Sequence, residues 1–324
     1  MRGRSISVVS AEKRKVIVRA NRPGRNGARG QSGVAGLSCH DNPMERIGII
    51  GLGRMGGPIT ARLTAAGFAV ASYDSRPDSG RTMDDAQALA ASVDILVTVL
   101  PGTPELRAVM AEITMTPGTL WLDLTSADPR AAIEIASALA EHGVASVGAP
   151  MGGGPGAAAA GELTFFVGGA ETSRDRIAPV LGVLGTSTIM GDDVTAGYTT
   201  KLLANTLWFG QAIAVAEALL LGQAQGIEPG PLREALAGSA GGSAFITQHL
   251  PALFDGDYLA TFGIDRVVEE LDSVTALARE HGTPIELTDL VARTHREALD
   301  EFGPIDGELL GMKLLEQRAG RELR

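Results

Sequence analysis

An apolar run that breaks into three glycines constrains this chain more than any other stretch. Ile47, Ile49 and Ile50 read as a buried strand. Gly51, Gly53 and Gly56 follow within Gly51-Leu52-Gly53-Arg54-Met55-Gly56, and a helical pattern resumes from Ile59. Gly-x-Gly-x-x-Gly between a strand and a helix is the order that a dinucleotide pyrophosphate requires. Gly51 permits the tight turn, Gly53 lets the phosphates approach the backbone, and Gly56 lets the helix pack closely on the strand. The phosphates then meet the free N–H groups and the positive dipole end of that helix. Spacing alone is a weak signal in a chain with 42 glycines; the strand before it and the helix after it give it weight.

Strands and helices alternate from Glu45 onward, which predicts a parallel sheet with crossover helices. The pattern places a helix over 58–66, a strand over 68–73 closing on Asp74, a short helix over 84–91 and a strand over 95–100 that stops at Pro101-Gly102. Thr103-Pro104 opens another helix, Leu120-Trp121-Leu122 forms a strand, Pro129 starts a helix to about residue 142, and 144–147 is the next strand. Strands follow at 163–167 and 186–190. From 193 to 225 the chain reads as one helix of roughly 50 Å at 1.5 Å per residue. It is apolar nearly all round (Leu202, Leu203, Leu207, Trp208, Ile213, Leu219, Leu221), so burial is expected. The rest is helical. The expected fold is an α/β Rossmann-like N-terminal domain (44–191) with a C-terminal all-α domain (192–324).

Charge decides which partners are excluded. The 324 residues carry a net charge of −10, but residues 1–43 hold nine Lys/Arg against two acids, so that stretch is +7 and the remainder −17. An acidic body disfavours nucleic acid and anionic membrane as partners. No run approaches the ~20 apolar residues of a membrane span. One cysteine, Cys39, excludes an internal disulfide and fits a reducing compartment, so the cytoplasm is the expected address. The five histidines show no metal-ligand spacing. Residues 1–43 read as a disordered extension, or as sequence upstream of a start at Met44; an Arg- and Ser-rich, acid-poor leader also resembles a transit peptide.

Three further stretches point to chemistry. Asp74 ends the second strand, where a carboxylate accepts bonds from the adenosine ribose and repels a 2′-phosphate. NAD is therefore favoured over NADP, although Arg76 stands close enough to turn towards a phosphate; an Asp capping a turn is the plain alternative. Gly148-Ala149-Pro150-Met151-Gly152-Gly153-Gly154-Pro155-Gly156 is either a flexible linker or a loop that presents backbone N–H groups to an anion, and the regular strand right after it favours the loop. Lys201 and Asn205 lie four apart on the long helix, with Gly197 and Trp208 on the same stripe. A lysine there has its charge satisfied, has its pKa lowered, or snorkels to solvent. A desolvated lysine suits general acid/base work on a carbonyl–alcohol pair.

Four segments in the right order resemble the β-hydroxyacid dehydrogenase family, which includes 3-hydroxyisobutyrate dehydrogenase, tartronate semialdehyde reductase and 6-phosphogluconate dehydrogenase. They are Gly51-Leu52-Gly53-Arg54-Met55-Gly56-Gly57-Pro58, Asp123-Leu124-Thr125-Ser126-Ala127-Asp128-Pro129, Ala149 to Gly154 with Gly161-Glu162-Leu163-Thr164 and Gly168-Gly169, and Gly197-Tyr198-Thr199-Thr200-Lys201 with Asn205. The resemblance implies an NAD(P)-dependent oxidoreductase acting on a 3-hydroxy acid or related alcohol. Lys201 would be the acid/base and Asn205 a catalytic substrate anchor. Cofactor contact is implied for Gly51, Leu52, Gly53, Arg54, Met55, Gly56, Asp74, Leu100, Pro101, Thr125 and Glu269. Substrate contact is implied for Ser126, Gly152, Gly153, Gly154 and Trp208. A small-molecule substrate and a homodimer or homotetramer are also implied.

The chain departs from the family pattern at three places. Gly152 stands where a serine is usual, Ala204 replaces the first of two asparagines, and Glu269-Glu270 aligns, counting from Phe262, with a Lys-Asp pair. A carboxylate in place of that cation points to a neutral, bulkier or amine-bearing substrate, with Trp208 and Phe209 enlarging the apolar contribution. An imine reductase, which shares the glycine signature, is the alternative enzyme; Lys201 opposes it. A non-catalytic dinucleotide-binding scaffold is the third reading.

Overall fold

The computed structural model describes residues 45–324. The basic stretch 1–43, with Cys39 and the expectations attached to it, lies outside the described residues. The first strand, β1 (Arg46–Ile50), leads into α1 (Gly56–Ala65), β2 (Ala69–Tyr73), α2 (Ala86–Ser92), β3 (Ile95–Thr98), α3 (Thr103–Glu112), β4 (Leu120–Asp123), α4 (Pro129–Glu141) and β5 (Ala145–Gly148). These five strands are parallel, in the spatial order β2-β1-β3-β4-β5. Every residue of β3 and β4 is buried, as befits parallel strands covered by helices on both faces. The order reverses between β1 and β3, and ligands of such sheets bind beyond the strand ends at that point. The glycine loop occupies it.

The remainder of the sheet departs from the parallel expectation. The glycine-rich stretch holds a two-residue strand, β6 (Met151–Gly152), and a short helix, α5 (Pro155–Ala160), so it is built into the fold. Next comes β7 (Leu163–Gly168), antiparallel to both β5 and β6, then α6 (Glu171–Leu184) and β8 (Gly185–Gly191), parallel to β7. The pattern reading missed α6. Pro179 inside it and a polar first half weaken the helical periodicity, and packing of Ile177, Val180, Leu181 and Leu184 on the sheet core decides the outcome.

The long helix, α7 (Thr195–Ala224), starts and ends within two residues of its predicted bounds. Its entry is fixed by close backbone contact. A Cβ on Gly197 would lie 2.3 Å from the Phe166 carbonyl oxygen and 2.8 Å from that of Gly148. The helix therefore lies directly on the ends of β5 and β7. Around it pack α8 (Pro229–Ala237), a π-helical turn (Phe245–His249), α9 (Leu250–Phe254), α10 (Ile264–Glu280), α11 (Glu286–Phe302) and α12 (Leu310–Ala319). Two apolar clusters meet on α7: Ala212, Ala216 and Leu219 face Phe245, Leu250 and Met312, while Phe209 and Ile213 face Val267, Leu271 and Val291.

The expectation of all-round burial needs correcting. Leu203, Leu207 and Leu221 are 51%, 68% and 66% exposed, at intervals that draw one stripe along the helix. By length and composition α7 is also apolar enough to cross a membrane, contrary to the reading of the raw sequence; in this fold its other faces form the helical core.

Candidate active site

The glycine turn has the shape its spacing predicts. Gly51 has φ +100°, and a Cβ there would fall 2.2 Å from the Val99 carbonyl oxygen. A Cβ on Gly56 would fall 1.9 Å from the Gly51 carbonyl oxygen, so α1 begins in contact with the turn itself. Gly53 faces open space, with nothing within 4 Å of its Cβ position. Neither a side-chain cap nor an acidic residue occupies the first turn of α1. Its free N–H groups are thus available to an anion. Two glycines demanded by packing and a third left open form a cradle that fits a dinucleotide pyrophosphate.

At the tip of β2, the Asp74 carboxylate accepts from Leu52 N at 2.7 Å and from Arg76 N and Nε at 2.9 and 3.0 Å. The Arg76 hydrogen bond, with the two backbone N–H groups, holds its pKa down to about 2 against the cost of burial. Asp74 is buried, whereas the Arg76 side chain is 59% exposed. Arg54 does not fold over the turn. Its guanidinium reaches the helical half, donating to the Thr261 carbonyl at 2.8 Å and pairing with Asp306. Leu52 and Met55 pack against the sheet core.

The loops after β3 and β4 are tied to each other and to α7. Leu100 N donates to Thr125 Oγ1 at 3.1 Å, so the Thr125 hydroxyl, itself buried, is committed to holding the two loops together. Beneath them, Asp123 accepts from Thr98 Oγ1 (2.6 Å), Thr125 N (3.1 Å) and Tyr198 Oη (2.8 Å). Burial without a cation pushes its pKa up to about 6. This network locks the first turn of α7 to the sheet and so sets the depth at which Lys201 stands. Pro101 is exposed and Ser126 half-buried at the ends of these loops.

Lys201 is half-buried, and its Nζ donates to Asn205 Oδ1 at 3.0 Å. The Asn205 amide donates in turn to Glu270 Oε2 at 2.6 Å. Glu270, on α10, is only 6% exposed. Burial pushes its pKa up to about 7, opposed by the Lys201 charge and the Asn205 bond. Glu308 lies in the turn before α12, within electrostatic reach of both Lys201 and Glu270, and its own pKa is raised by burial. Sequence spacing brings Lys201 and Asn205 together; only the fold adds Glu270 and Glu308.

Three sequence-based assignments change in the light of the contacts. Glu269 does not stand as a bare carboxylate at the cofactor: it accepts from Thr103 N at the start of α3 (2.9 Å) and pairs with Arg266, which also binds Glu105. The acidic replacement at this position is thus paired, through an arginine it shares with Glu105 and Asp265. Phe209 is buried in the helical core and is turned away from the Lys201 stripe, so it adds nothing to a substrate pocket. Trp208 does share the stripe, its ring held edge-on by Phe245 (4.9 Å) and His249 (4.6 Å). At Gly152, a Cβ would lie 2.7 Å from Thr164 Oγ1, so a neighbouring hydroxyl already occupies the place of a side chain there. Gly153 (φ +104°) and Gly154 are exposed just beyond it.

A switch-point glycine cradle, together with a lysine–amide pair on α7 bonded to a buried carboxylate on α10, suits a dinucleotide-dependent dehydrogenase. Residues 46–191 match the family described as the NAD binding domain of 6-phosphogluconate dehydrogenase, and residues 195–309 match the NAD-binding region of NADP-dependent 3-hydroxyisobutyrate dehydrogenase. L-threonate dehydrogenase of Cupriavidus necator is 30% identical over 256 residues, 75% of this chain and 86% of that one. A 3-hydroxyisobutyrate dehydrogenase of Mycobacterium tuberculosis, solved with L-serine, superposes with a TM-score of 0.76 at 25% identity, covering 84% of this chain and 99% of the other. An imine reductase of Myxococcus stipitatus, at 17% identity and a TM-score of 0.56, shares the fold alone. The chain belongs to the β-hydroxyacid dehydrogenase family and is an NAD(P)-dependent dehydrogenase acting on hydroxyl groups.

Proposed function

We propose that the chain interconverts a hydroxy acid, or a closely related alcohol, with its carbonyl compound, and that Lys201 is the general acid/base. The observation that supports this reading is the bond chain Lys201–Asn205–Glu270, which ties the lysine amine on α7 to a buried carboxylate on α10. A dinucleotide held at the Gly51–Gly56 turn would supply hydride transfer to and from the carbinol carbon. Lys201 takes the hydroxyl proton in oxidation and gives it back to the carbonyl oxygen in reduction. Asn205 holds the amine in place and, with Gly153 and Gly154 offering backbone N–H groups to the acid end, orients the substrate. A nitrogen-reducing activity has less support: the lysine is retained, and the imine reductase likeness is one of fold.

NAD is the proposed preferred cofactor, supported by the anionic Asp74 at the ribose end of the crevice. A homo-oligomer is proposed on the exposed stripe Leu203–Leu207–Leu221, and the cytoplasm as its location on the single cysteine. The central test is Lys201→Ala. Turnover is expected to fall by roughly 10²–10⁴, the usual scale for removing an acid/base group, while NADH binding followed by fluorescence stays near wild type. Undiminished turnover removes Lys201 from the reaction.

A further inference from the structure

The two halves of the chain touch in two different ways. At the entry of α7 the contact is tight and apolar, with a Cβ on Gly197 falling 2.3 Å from the Phe166 carbonyl oxygen, so nothing can slide there. The loops after β1 and β3, which flank the switch point, meet the helical half through charges instead. Arg54, a residue of the phosphate cradle itself, pairs with Asp306 at 2.5 Å and donates to the Thr261 carbonyl at 2.8 Å. After β3, Glu105 pairs with Arg266 at 2.7 Å, and Thr103 N donates to Glu269 at 2.9 Å. Gly102 makes room for this second contact: a Cβ there would lie 2.8 Å from the Arg266 guanidinium and 2.9 Å from the Glu269 carboxylate.

Arg54 reaches two segments that are joined as one lip. Gly307 N donates to the Phe262 carbonyl at 2.9 Å and Ile264 N to the Ile305 carbonyl at 3.0 Å, so Thr261 and Asp306 sit on a single paired unit. Leu259, at the start of the lip, is the one non-glycine among the described residues with a left-handed backbone, φ +56°. Such residues persist only where their surroundings hold them, and they gather at switch segments. The ion pairs are far from buried, with Arg54 56% and Asp306 48% exposed. Pairs of that kind are weak and screened by salt. They add little to a fold, and they suit a contact that is made and broken in every cycle.

We propose that Arg54–Asp306 and Glu105–Arg266 form a clasp between the two switch-point loops and the helical half, and that opening this clasp limits how fast the dinucleotide leaves. Asp306 and Glu105 are positioning residues that act through the placement of the lip and of α10. Because Arg54 belongs to the cradle, occupancy of the cradle and position of the lip bias each other, and that coupling is reciprocal. The clasp rests on the dinucleotide site and is independent of which substrate is oxidised.

Release is measured by stopped flow without substrate. Protein loaded with NADH or NADPH, whichever binds more tightly, is mixed with excess oxidised dinucleotide, and the loss of nicotinamide fluorescence gives the off-rate. Asp306→Asn and Glu105→Gln keep the shape and lose the charge. Each is expected to release about three- to fivefold faster, the scale of one exposed ion pair. In an Arg54→Gln background, Asp306→Asn should add nothing, since its partner is already gone. Raising salt from about 0.05 to about 0.5 M should speed release from the wild type more steeply than from the Asp306→Asn/Glu105→Gln double variant, whose remaining slope belongs to the pyrophosphate. Wild-type off-rates in both single variants, or equal salt slopes, overturn the clasp. So does an undiminished effect of Asp306→Asn in the Arg54→Gln background. Thermal unfolding of each variant guards against a merely structural role: faster release at unchanged Tm supports the clasp, and faster release that only tracks a fallen Tm overturns it.

Discussion

The Asn205 side-chain amide donates to Glu270 across 65 residues of sequence at 2.6 Å, and this one bond joins the lysine-bearing helix to the helix that closes over it. Burial of Glu270 pushes its pKa up to about 7. As pH falls below 7 the carboxyl protonates and Lys201 loses the anion that supports its charge. The pH profile of kcat/KM is expected to show an inflection near 7 that is absent in Glu270→Gln. Linkage gives a second readout. A folded-state pKa raised above the unfolded value means stability is lost as pH rises from about 4.5 through about 7. The wild type should thus weaken relative to Glu270→Gln across that window, by up to about 3 kcal/mol at ~1.4 kcal/mol per pKa unit. Parallel pH–stability curves for the two proteins would contradict it.

Two glycines of the same loop are expected to fail in different ways. Gly56→Ala forces a Cβ into the Gly51 carbonyl, so both folding and cofactor binding suffer. Gly53→Ala meets no protein atom and should leave Tm within a degree or two while weakening NADH binding at least tenfold. Calorimetric unfolding and fluorescence titration distinguish the two; intact NADH affinity in Gly53→Ala would remove the pyrophosphate from that position.

Cofactor choice is expected to follow Asp74. The wild type should prefer NADH over NADPH by tenfold or more in kcat/KM, about 1.4 kcal/mol in transition-state terms. Asp74→Ser removes the anion and frees the exposed Arg76 guanidinium to meet a 2′-phosphate, which narrows or reverses the ratio. A tenfold preference for NADPH in the wild type would overturn the reading of Asp74.

Tyr198 is expected to act at a distance. It is fully buried, and its hydroxyl is one of three donors that keep the buried Asp123 carboxylate satisfied. Tyr198→Phe should cost about 1–3 kcal/mol of stability, the usual penalty for an orphaned buried acceptor. It should also lower kcat more than it raises KM, because α7 carries Lys201. An unchanged Tm would show that solvent reaches Asp123.

The features legible in the sequence are those whose cause is local. The glycine cradle is written in consecutive residues, because each glycine answers to a neighbour within a few positions or to a backbone carbonyl that any such strand end would supply. The span of α7 and the shared face of Lys201 and Asn205 follow from helical geometry alone. Asp74 is placed by the end of a strand.

What the sequence leaves open depends on contacts between distant segments. Glu269 looks like the telling substitution in the one-dimensional pattern, but it is engaged by Arg266 and by the backbone at the start of α3. Phe209, beside Trp208 in sequence, points into the core because a helix turns by about 100° per residue. Glu308 carries no local signal at all. Its relation to Lys201 and Glu270 is set by the packing of the last helices around α7, and a charge acquires meaning only from the charges and the dielectric around it. The sequence by itself determined that the N-terminal half is built to bind a dinucleotide and that a lysine and an asparagine share one face of the long helix. Only the tertiary structure decided which carboxylates surround that lysine, because burial and electrostatic imbalance are properties of space and not of order along the chain.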